Sequence, residues 1–332
     1  MNVLLRALLL CGLLIGYRAD AAEVSGLYET EVLADSQTVA DKNNAIRSAL
    51  EKVLKKVLAG EGILQDPVVK SAIADAPRFV KQAQFSLSEQ SIGANRTART
   101  LRVLFDAQAL LNVLKTSKLK VWEETRPETL LWLVLEDNGR RSFFRPETMY
   151  ELNNAVNKMS KQAGLPLLLP LQDLDEQRQI SVSDVLSAYP QRLLAVSERY
   201  GVVSILAGRV VKSADCWTAD WAFYFDDRIV QTETPCASLE DAILTGMQSV
   251  YDGLSNYYAV KPYGLEVGSV TLKVFHADDM EDKNRLQNYL KSLPMVKSVS
   301  WVGGDVGQQR YKVSFNGERA ALEEILGLGR VL

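Results

Sequence analysis

Apolar residues return along this chain at two spacings, every second residue and every third or fourth, and their alternation predicts a mixed α+β protein. The helical spacing is clearest in Ala40–Ala59, and Gly60 stands just past its last apolar position. Asp66-Pro67 has the form of an N-cap followed by proline at the first helical position. The elements predicted for residues 23–125 are a strand at Leu27–Leu33, helices at Ala40–Ala59 and from Pro67 to about Ala76, a hairpin of Phe79–Glu89 and Thr97–Phe105, a short helix at Ala107–Leu114 and a strand at Leu119–Trp122.

A polar link that ends in a helix-breaking proline, Glu123–Pro127, separates this part from the next. Leu130–Leu135 is wholly apolar, which is typical of a strand at the centre of a sheet. The predicted elements of residues 126–263 are the strand Leu130–Leu135, the helix Pro146–Lys161, the strand Leu165–Leu171, an acidic loop at Asp173–Glu176, the helix Pro190–Tyr200 ended by Gly201, the strand Val202–Val211, a hairpin of Cys216–Phe225 and Arg228–Thr234, and the helix Leu239–Tyr257.

The last part of the chain shows strand and helix patterns in the order βαββα, which is typical of a small sandwich with ferredoxin-like character. The predicted elements are the strand Ser269–Phe275, the helix Asp278–Leu293, the strands Val296–Val302 and Gln309–Phe315 around a turn at Gly303-Gly304-Asp305, and the helix Glu318–Leu326. We therefore expect a signal peptide at residues 1–21, an amino-terminal α+β domain at 23–125, a middle mixed α/β domain at 126–263 and a carboxyl-terminal ferredoxin-like domain at 264–332.

The first residues have the pattern of a cleaved secretory signal. Ala7–Tyr17 is almost wholly apolar and too short to span the hydrocarbon of a bilayer. Ala19 and Ala21 fit the small-residue pattern of a signal peptidase site, which predicts cleavage after Ala21 or one residue later. No other stretch has the length and apolarity of a transmembrane helix. The expected location is the periplasm of a bacterium.

Net charge argues against a nucleic-acid partner. The chain carries a formal charge of −3. Residues 126–263 hold 13 Lys and Arg against 18 Asp and Glu, a net of −5, and residues 264–332 hold nine against nine, a net of zero. A protein that neutralises phosphates along a nucleic acid has a basic domain, and counting by domain finds none.

Two cysteines remain after the predicted signal, and they are expected to pair. Cys216 and Cys236 flank a hairpin whose turn contains Asp226-Asp227. A hairpin folded symmetrically about Asp226 places Cys216 opposite Cys236 and Phe223 opposite Ile229, within reach of a disulfide. Exported proteins form such bridges because their compartment is oxidising.

The remaining chemistry-bearing residues give no catalytic set, and the sequence predicts no cofactor and no metal ligand. His276 is the one histidine, and no nucleophile motif accompanies it. The acidic groups Asp173–Glu176 and Asp278–Asp282 are better explained as solvated loop and helix-terminal residues than as cation sites. Trp217 and Trp221 share a strand face; they are expected in the core, with an aromatic ligand platform as the alternative.

Three blocks carry a resemblance to a known family: the helix Asn44–Ala59, the stretch Trp122–Val134, and Arg199–Val210 leading into Trp217 and Trp221. With these blocks the chain resembles an uncharacterised family of bacterial exported proteins, domain of unknown function number two thousand and sixty-six. At the level of fold, Arg199–Val211 resembles a segment of the TolB amino-terminal domain, and the first domain is similar in element order to domains of the flagellar T-ring protein. These resemblances imply an envelope protein and assign no active residue.

The sequence thus leads us to expect a non-catalytic periplasmic protein that binds another envelope protein or a cell-wall component and supports envelope assembly or maintenance. Two alternatives remain open. One is a periplasmic hydrolase that uses paired carboxylates near Asp173 or Asp226. The other is a small-ligand or peptidoglycan-binding module with the tryptophan face as its platform. A closed polar pocket would favour the enzyme, and an open surface or unpaired sheet edge would favour binding.

Overall fold

The computed structural model describes residues 21–34, 36–91, 97–117, 119–259, 267–275, 279–293, 295–305, 307–316, 319, 322–323 and 326. The predicted fold class is confirmed: these residues form a mixed α+β protein with several small sheets. The chain forms two compact units, one drawn mainly from residues 126–161 and 165–250, the other from residues 23–125, 162–164 and 251–332. The division into three domains stays a prediction.

A three-stranded antiparallel sheet backed by one long helix forms the centre of residues 23–125. The strand β5 (Thr97–Phe105) lies between β2 (Glu29–Ala34) and β4 (Val80–Ser91). The helix α1 (Val39–Val57) is capped by Thr38 and buries a continuous apolar stripe against one face of this sheet. The remaining elements here are β1 (Ala21–Glu23), β3 (Leu58–Ala59), α2 (Pro67–Ala74), α3 (Ala107–Leu114) and β6 (Lys120–Val121).

The helix starts predicted at Pro67 and Ala107 are confirmed because they depend on local chemistry. Asp66 accepts hydrogen bonds from the backbone N–H groups of Val68 and Val69, and Pro67 begins α2. Asp106 accepts from the N–H of Ala109 at the start of α3.

A mixed sheet forms the centre of the middle part. Its order is β10, β8, β11, β12, β13, with β9 paired to β8. The strands β8 and β11 are parallel, and β12 and β13 follow β11 in an antiparallel arrangement. The elements are β7 (Thr125–Pro127), β8 (Thr129–Asp137), β9 (Arg140–Phe143), α4 (Tyr150–Ala163), β10 (Leu167–Leu168), α5 (Leu174–Gln179), α6 (Gln191–Ser197), β11 (Ser204–Lys212), β12 (Trp217–Phe225), β13 (Arg228–Ala237) and α7 (Leu239–Tyr258).

Both faces of this sheet are covered, which explains why β8 is apolar on both sides. On one face Trp132 belongs to a buried cluster with side chains around α6, and its Nε1 donates to Ser197 Oγ at 3.0 Å. On the other face Trp221 lies between β11 and α7. A Cβ on Gly208 would come within 2.2 Å of the Trp221 ring, and one on Gly246 within 2.5 Å, so the indole occupies space that only glycine leaves.

The carboxyl-terminal part has the strand order expected of a ferredoxin-like βαββα unit. The central strand β16 (Gln308–Asn316) is antiparallel to both β14 (Val267–Phe275) and β15 (Val296–Asp305). The helix α8 (Met280–Ser292) follows β14 and packs on one face through Leu286 and Leu290. The predicted helix Glu318–Leu326 lies partly outside the described residues.

Several predicted boundaries need correction. The strand predicted at Leu165–Leu171 is reduced to Leu167–Leu168 because the prolines on either side interrupt its pairing. The helix predicted from Pro146 begins at Tyr150. Gly303, Gly304 and Asp305 are not the hairpin turn; they continue β15 opposite Arg310, Gln309 and Gln308, and the turn comes later.

Candidate functional site: the outer face of the carboxyl-terminal sheet

The predicted disulfide is present, in a hairpin whose register differs from the prediction. Cys216 and Cys236 are bonded with their Cα atoms 5.4 Å apart. Phe223 pairs with Val230 rather than Ile229, because the two-residue turn Asp226-Asp227, with Asp226 at φ 55°, centres the hairpin between these residues and not on Asp226. The ladder is irregular near the bridge, between Trp217 and Ala219.

The tryptophans do not form a paired platform. Trp221 is 2% exposed, and its Nε1 donates to the carbonyl oxygen of Ala242 at 2.9 Å. Trp217 is half-buried, and the Lys212 ammonium lies 5.1 Å from the centre of its ring. Trp221 is therefore a core residue, as its tight fit between two glycines already indicated.

The acidic loop predicted at Asp173–Glu176 is wrong. Asp173 caps α5 by accepting from the N–H of Glu176 at 2.9 Å, and Glu176 itself is buried. The Glu176 carboxylate accepts from the Tyr200 hydroxyl, from Arg199 Nη1 at 3.2 Å and from the N–H of Gln172 at 2.7 Å. Arg199 and Tyr200 lie more than twenty residues away in sequence, so a local pattern could not show the burial of Glu176.

This acidic pair is held by one cation. Arg199 Nη1 lies 3.0 Å from Asp173 Oδ2 as well as 3.2 Å from Glu176 Oε1. The hydrogen bond from the Glu176 N–H, and then Arg199, hold the pKa of Asp173 below its usual range, although desolvation opposes them. Burial and the neighbouring Glu176 raise the pKa of Tyr200 to about 12. These contacts link the start of α5 to the turn that follows α6, which indicates a structural role for the cluster.

The other predicted residues give no site. Asp279 caps α8 by accepting from the N–H of Asp282 at 2.7 Å. Among the described residues no group of three or more His, Cys, Asp or Glu could hold a metal ion. His276 and Ala19 lie outside the described residues, and Ala21 begins β1. Cleavage of the signal stays a prediction.

One surface that the sequence did not single out has an unusual composition. It is the face of the β14–β16–β15 sheet that points away from the apolar cluster around α8, and we call it the basic face. Its side chains follow from the strand registers. They are Ser269, Thr271, Lys273 and Phe275 on β14, Gln308, Arg310, Lys312 and Ser314 on β16, and Ser298, Ser300, Gly303 and Asp305 on β15, with Val302 at the bulge beside Gly303.

Three cations lie at the centre of the basic face. Lys273 pairs directly with Arg310, and Lys312 is two residues further along the same strand, so the Cα atoms of the three residues are separated by roughly 5–8 Å. All three side chains are exposed, and within the described part of the chain none of them forms a salt bridge. Like charges directly opposite on a sheet are destabilising, so this arrangement costs stability unless an anion is bound.

Exposed apolar side chains and hydroxyl groups surround these cations. Phe275 is 61% exposed at the end of β14, and Val302 is 49% exposed in β15. Thr271 and Ser300 flank Lys312 on the two neighbouring strands.

A signal for this face was present in the sequence. In the predicted strands Lys273 stands between the apolar residues Leu272 and Val274, and Arg310 and Lys312 stand on either side of Tyr311. Alternation of this kind places the cations on one face of a sheet. Counting charge by domain concealed them, because it averages these cations against the acids of the helices.

Comparison with known proteins gives a partial assignment. A family model described as "Domain of unknown function (DUF8605)" matches residues 21–123. An uncharacterised domain was predicted, but the number of the matched family differs from the one expected from the sequence. No curated protein matches the chain.

Among solved structures, the carboxyl-terminal domain of LpoB from Salmonella enterica is similar to part of the chain. The identity is 14%, the alignment covers 33% of this chain and 82% of that one, and the TM-score is 0.24. At this TM-score and identity the similarity assigns neither a fold nor a function to the chain. Among the described residues, no helix is both long enough and apolar enough to cross a membrane.

Proposed function

We propose that this chain is a non-catalytic periplasmic interaction protein that supports assembly or maintenance of the cell envelope. The observation that carries the proposal is the basic face, an exposed sheet surface on which Lys273, Arg310 and Lys312 are close together. An open surface with one sign of charge favours association with a partner of the opposite sign. Enzymes, by contrast, usually enclose a small substrate in a concave pocket.

Two further features support the proposed location. The apolar segment Ala7–Tyr17 with Ala19 and Ala21 has the pattern of an export signal. The bridge between Cys216 and Cys236 suits an oxidising compartment.

The hydrolase alternative has less support. Paired carboxylates can act as acid and base when their pKa values are pushed apart and both reach a substrate. Here Asp173 caps a helix, and Arg199 contacts both Asp173 and Glu176. Asp226 lies in a hairpin turn. The ligand-platform alternative also loses support, because the Trp221 ring is buried.

Site-specific photo-crosslinking in cells tests the proposal. A crosslinking residue is placed at Thr271 or at Ser300, both exposed on the basic face, and at Gln84 on the outer face of the amino-terminal sheet as a control. We expect one envelope component to be captured from Thr271 and Ser300 and not from Gln84, and the capture to fall when Arg310→Gln is added. Equal capture from all three positions would contradict the proposal, as would no capture from the basic face.

A further inference from the structure

We infer that the basic face binds an anionic lipid surface, with the phosphates of lipid headgroups as its ligands. The inference rests on the proposed function and names the partner of the same face. It follows from three properties of the face: its charge, its hydroxyl donor and its exposed apolar side chains.

The charge of the face is suited to an anion and is unfavourable without one. Lys273 and Arg310 are directly opposite each other, and Lys312 is the next outward-facing residue on β16. Their mutual repulsion falls when anions lie between them. The one acid on the face within the described residues, Asp305, lies at its end, opposite Gln308. A cation held at an anionic membrane surface strengthens binding roughly fivefold.

A hydroxyl group adds to the donor set at the centre of the face. Thr271 pairs with Lys312 from one side and supplies this hydroxyl. Ser300 pairs with Lys312 from the other side, and its hydroxyl donates to the carbonyl oxygen of Lys312 at 3.4 Å. Hydroxyl and ammonium groups together can donate to several oxygens of one phosphate. A Cβ on Gly303 would lie 3.9 Å from Arg310 Nη2, so the guanidinium extends over the glycine, toward β15.

The apolar side chains favour lipid over a hydrated acidic polymer. Phe275 is two residues from Lys273 on the same face and is 61% exposed, and Val302 is 49% exposed beside Gly303. Aromatic and aliphatic side chains beside cations gain free energy when they enter the boundary between headgroups and acyl chains. A hydrated polyanion offers them no apolar phase.

The distribution of charge within the domain would orient it on such a surface. Residues 264–332 contain nine cations and nine acids, so the domain has no net charge. The described acids Asp279 and Asp282 lie at the start of α8, which packs on the opposite face of the sheet. On α8 these acids are accompanied by Lys283, Arg285 and Lys291, whereas the basic face carries three cations against Asp305 alone. The excess of positive charge on the basic face, which is roughly 10 Å wide, would favour one orientation at an anionic plane.

Sedimentation with lipid vesicles tests the inference on the whole protein purified from cells. Vesicles of phosphatidylcholine are compared with vesicles in which part of the lipid is phosphatidylglycerol. We expect binding to the anionic vesicles only, weakened at high salt. The triple variant Lys273→Gln, Arg310→Gln, Lys312→Gln should bind about a hundredfold more weakly, since three cations at about 1 kcal/mol each correspond to that factor. Phe275→Ser should weaken binding about tenfold.

Two matched controls separate the face from general effects. The triple variant Lys55→Gln, Lys70→Gln, Lys81→Gln removes the same charge from exposed positions of the amino-terminal part, and Leu33→Ser removes an apolar side chain that is 49% exposed there. Both should bind like the unaltered protein. The inference is overturned if the unaltered protein ignores anionic vesicles, if the control triple variant loses as much binding, or if polyglutamate competes as well as lipid does. Should vesicles fail while Thr271 still captures an envelope protein in cells, the lipid inference fails and the proposed function stands.

Discussion

The described residues form two three-stranded antiparallel sheets that are each backed by one helix and that differ in the side chains on their outer faces. Each sheet is backed by one helix, α1 for β2–β5–β4 and α8 for β14–β16–β15. On the outer face of the first sheet Glu31 pairs with Arg102, and Arg102 also forms a salt bridge with Glu29. On the basic face of the second, Lys273 pairs with Arg310.

On the first sheet the opposite charges neutralise one another. On the second sheet an excess of positive charge remains, and the proposed function assigns that excess to the binding of a partner. The two carboxylates near Arg102 neutralise it and raise its pKa, chiefly through the hydrogen bond with Glu29. The charge of Arg102 is therefore neutralised by residues of the same sheet. Among the described residues no salt bridge is formed by Lys273, Arg310 or Lys312, so a bound anion would lower the free energy of this arrangement.

The largest expected effect concerns the backing of the first sheet. Leu50 is fully buried in α1, and Leu50→Ala should lower the free energy of unfolding by about 3 kcal/mol through lost transfer energy and a residual cavity. Leu33→Ala, on the half-exposed outer side of the same sheet, should change it by less than about 0.5 kcal/mol. Denaturant titration measures both. Equal losses would mean that the outer face of this sheet is packed rather than solvated, and the comparison would fail.

Reversing the central cation of the first sheet should destabilise the protein. Arg102→Glu removes the salt bridge with Glu29 and places three carboxylates on neighbouring positions. We expect the thermal midpoint to fall by about 2–4 °C at low salt, with most of the difference lost at high salt. Arg102→Gln removes the attraction without adding repulsion, so its thermal midpoint should lie between those of the unaltered protein and Arg102→Glu. A midpoint that does not move would show that the charge pairing on this face contributes nothing.

The same reversal on the second sheet should have the opposite sign. Arg310→Glu places a carboxylate between Lys273 and Lys312 and replaces repulsion by attraction, so it should stabilise the protein by about 0.5 kcal/mol. Denaturant titration at low and high salt measures the change, which should shrink as salt screens it. Arg319→Glu, at a position that pairs with Glu323, is the contrasting variant and should not stabilise. If Arg310→Glu destabilised the protein, the three cations of the basic face would not be repelling one another as inferred.

A structural feature could be predicted from the sequence when neighbouring residues determine it, and was missed when distant residues do. The caps at Asp66 and Asp106 follow from neighbouring residues and are confirmed. The helix predicted to run to Tyr200 ends as α6 at Ser197 and continues as one 3-10 turn, Glu198–Tyr200, which Gly201 ends at φ 62°. The hairpin register is wrong by one residue because it depends on where a two-residue turn is centred, and a slip of one changes every partner.

The site was harder to predict than the fold. The buried carboxylate of Glu176 accepts hydrogen bonds from Arg199 and Tyr200, which lie more than twenty residues away, so its burial could not be predicted from neighbouring residues. The basic face was missed for a different reason: a charge count over residues 264–332 gives zero, and only assigning strand residues to faces separates the cations from the acids. A face-by-face count on predicted strands could have found Lys273, Arg310 and Lys312.

The smallest expected effect concerns the start of the backing helix α1 and its dependence on pH. Thr38 and Ser36 donate hydroxyl hydrogen bonds to the Asp41 carboxylate in the first turn, and these bonds, that from Ser36 foremost, hold the pKa of Asp41 below its usual range. A carboxyl with a lowered pKa in the folded state contributes stability above its unfolded pKa, and this contribution is lost as the pH falls through the folded pKa. Asp41→Asn should therefore lower the thermal midpoint slightly at neutral pH, and the two proteins should converge in acid, at a pH below the usual range of an aspartate pKa.

The second sheet offers a matched change in the first turn of its own backing helix, α8. In Asp282→Asn the lost carboxylate has Arg285 at 3.6 Å as its partner, and among the described residues no hydroxyl group donates to it. The midpoint difference from the unaltered protein should therefore be smaller at neutral pH than for Asp41→Asn. Thermal melts of the three proteins between neutral and acidic pH measure this. A difference for Asp41→Asn that persists unchanged in acid would show that the hydroxyl hydrogen bonds are not its cause.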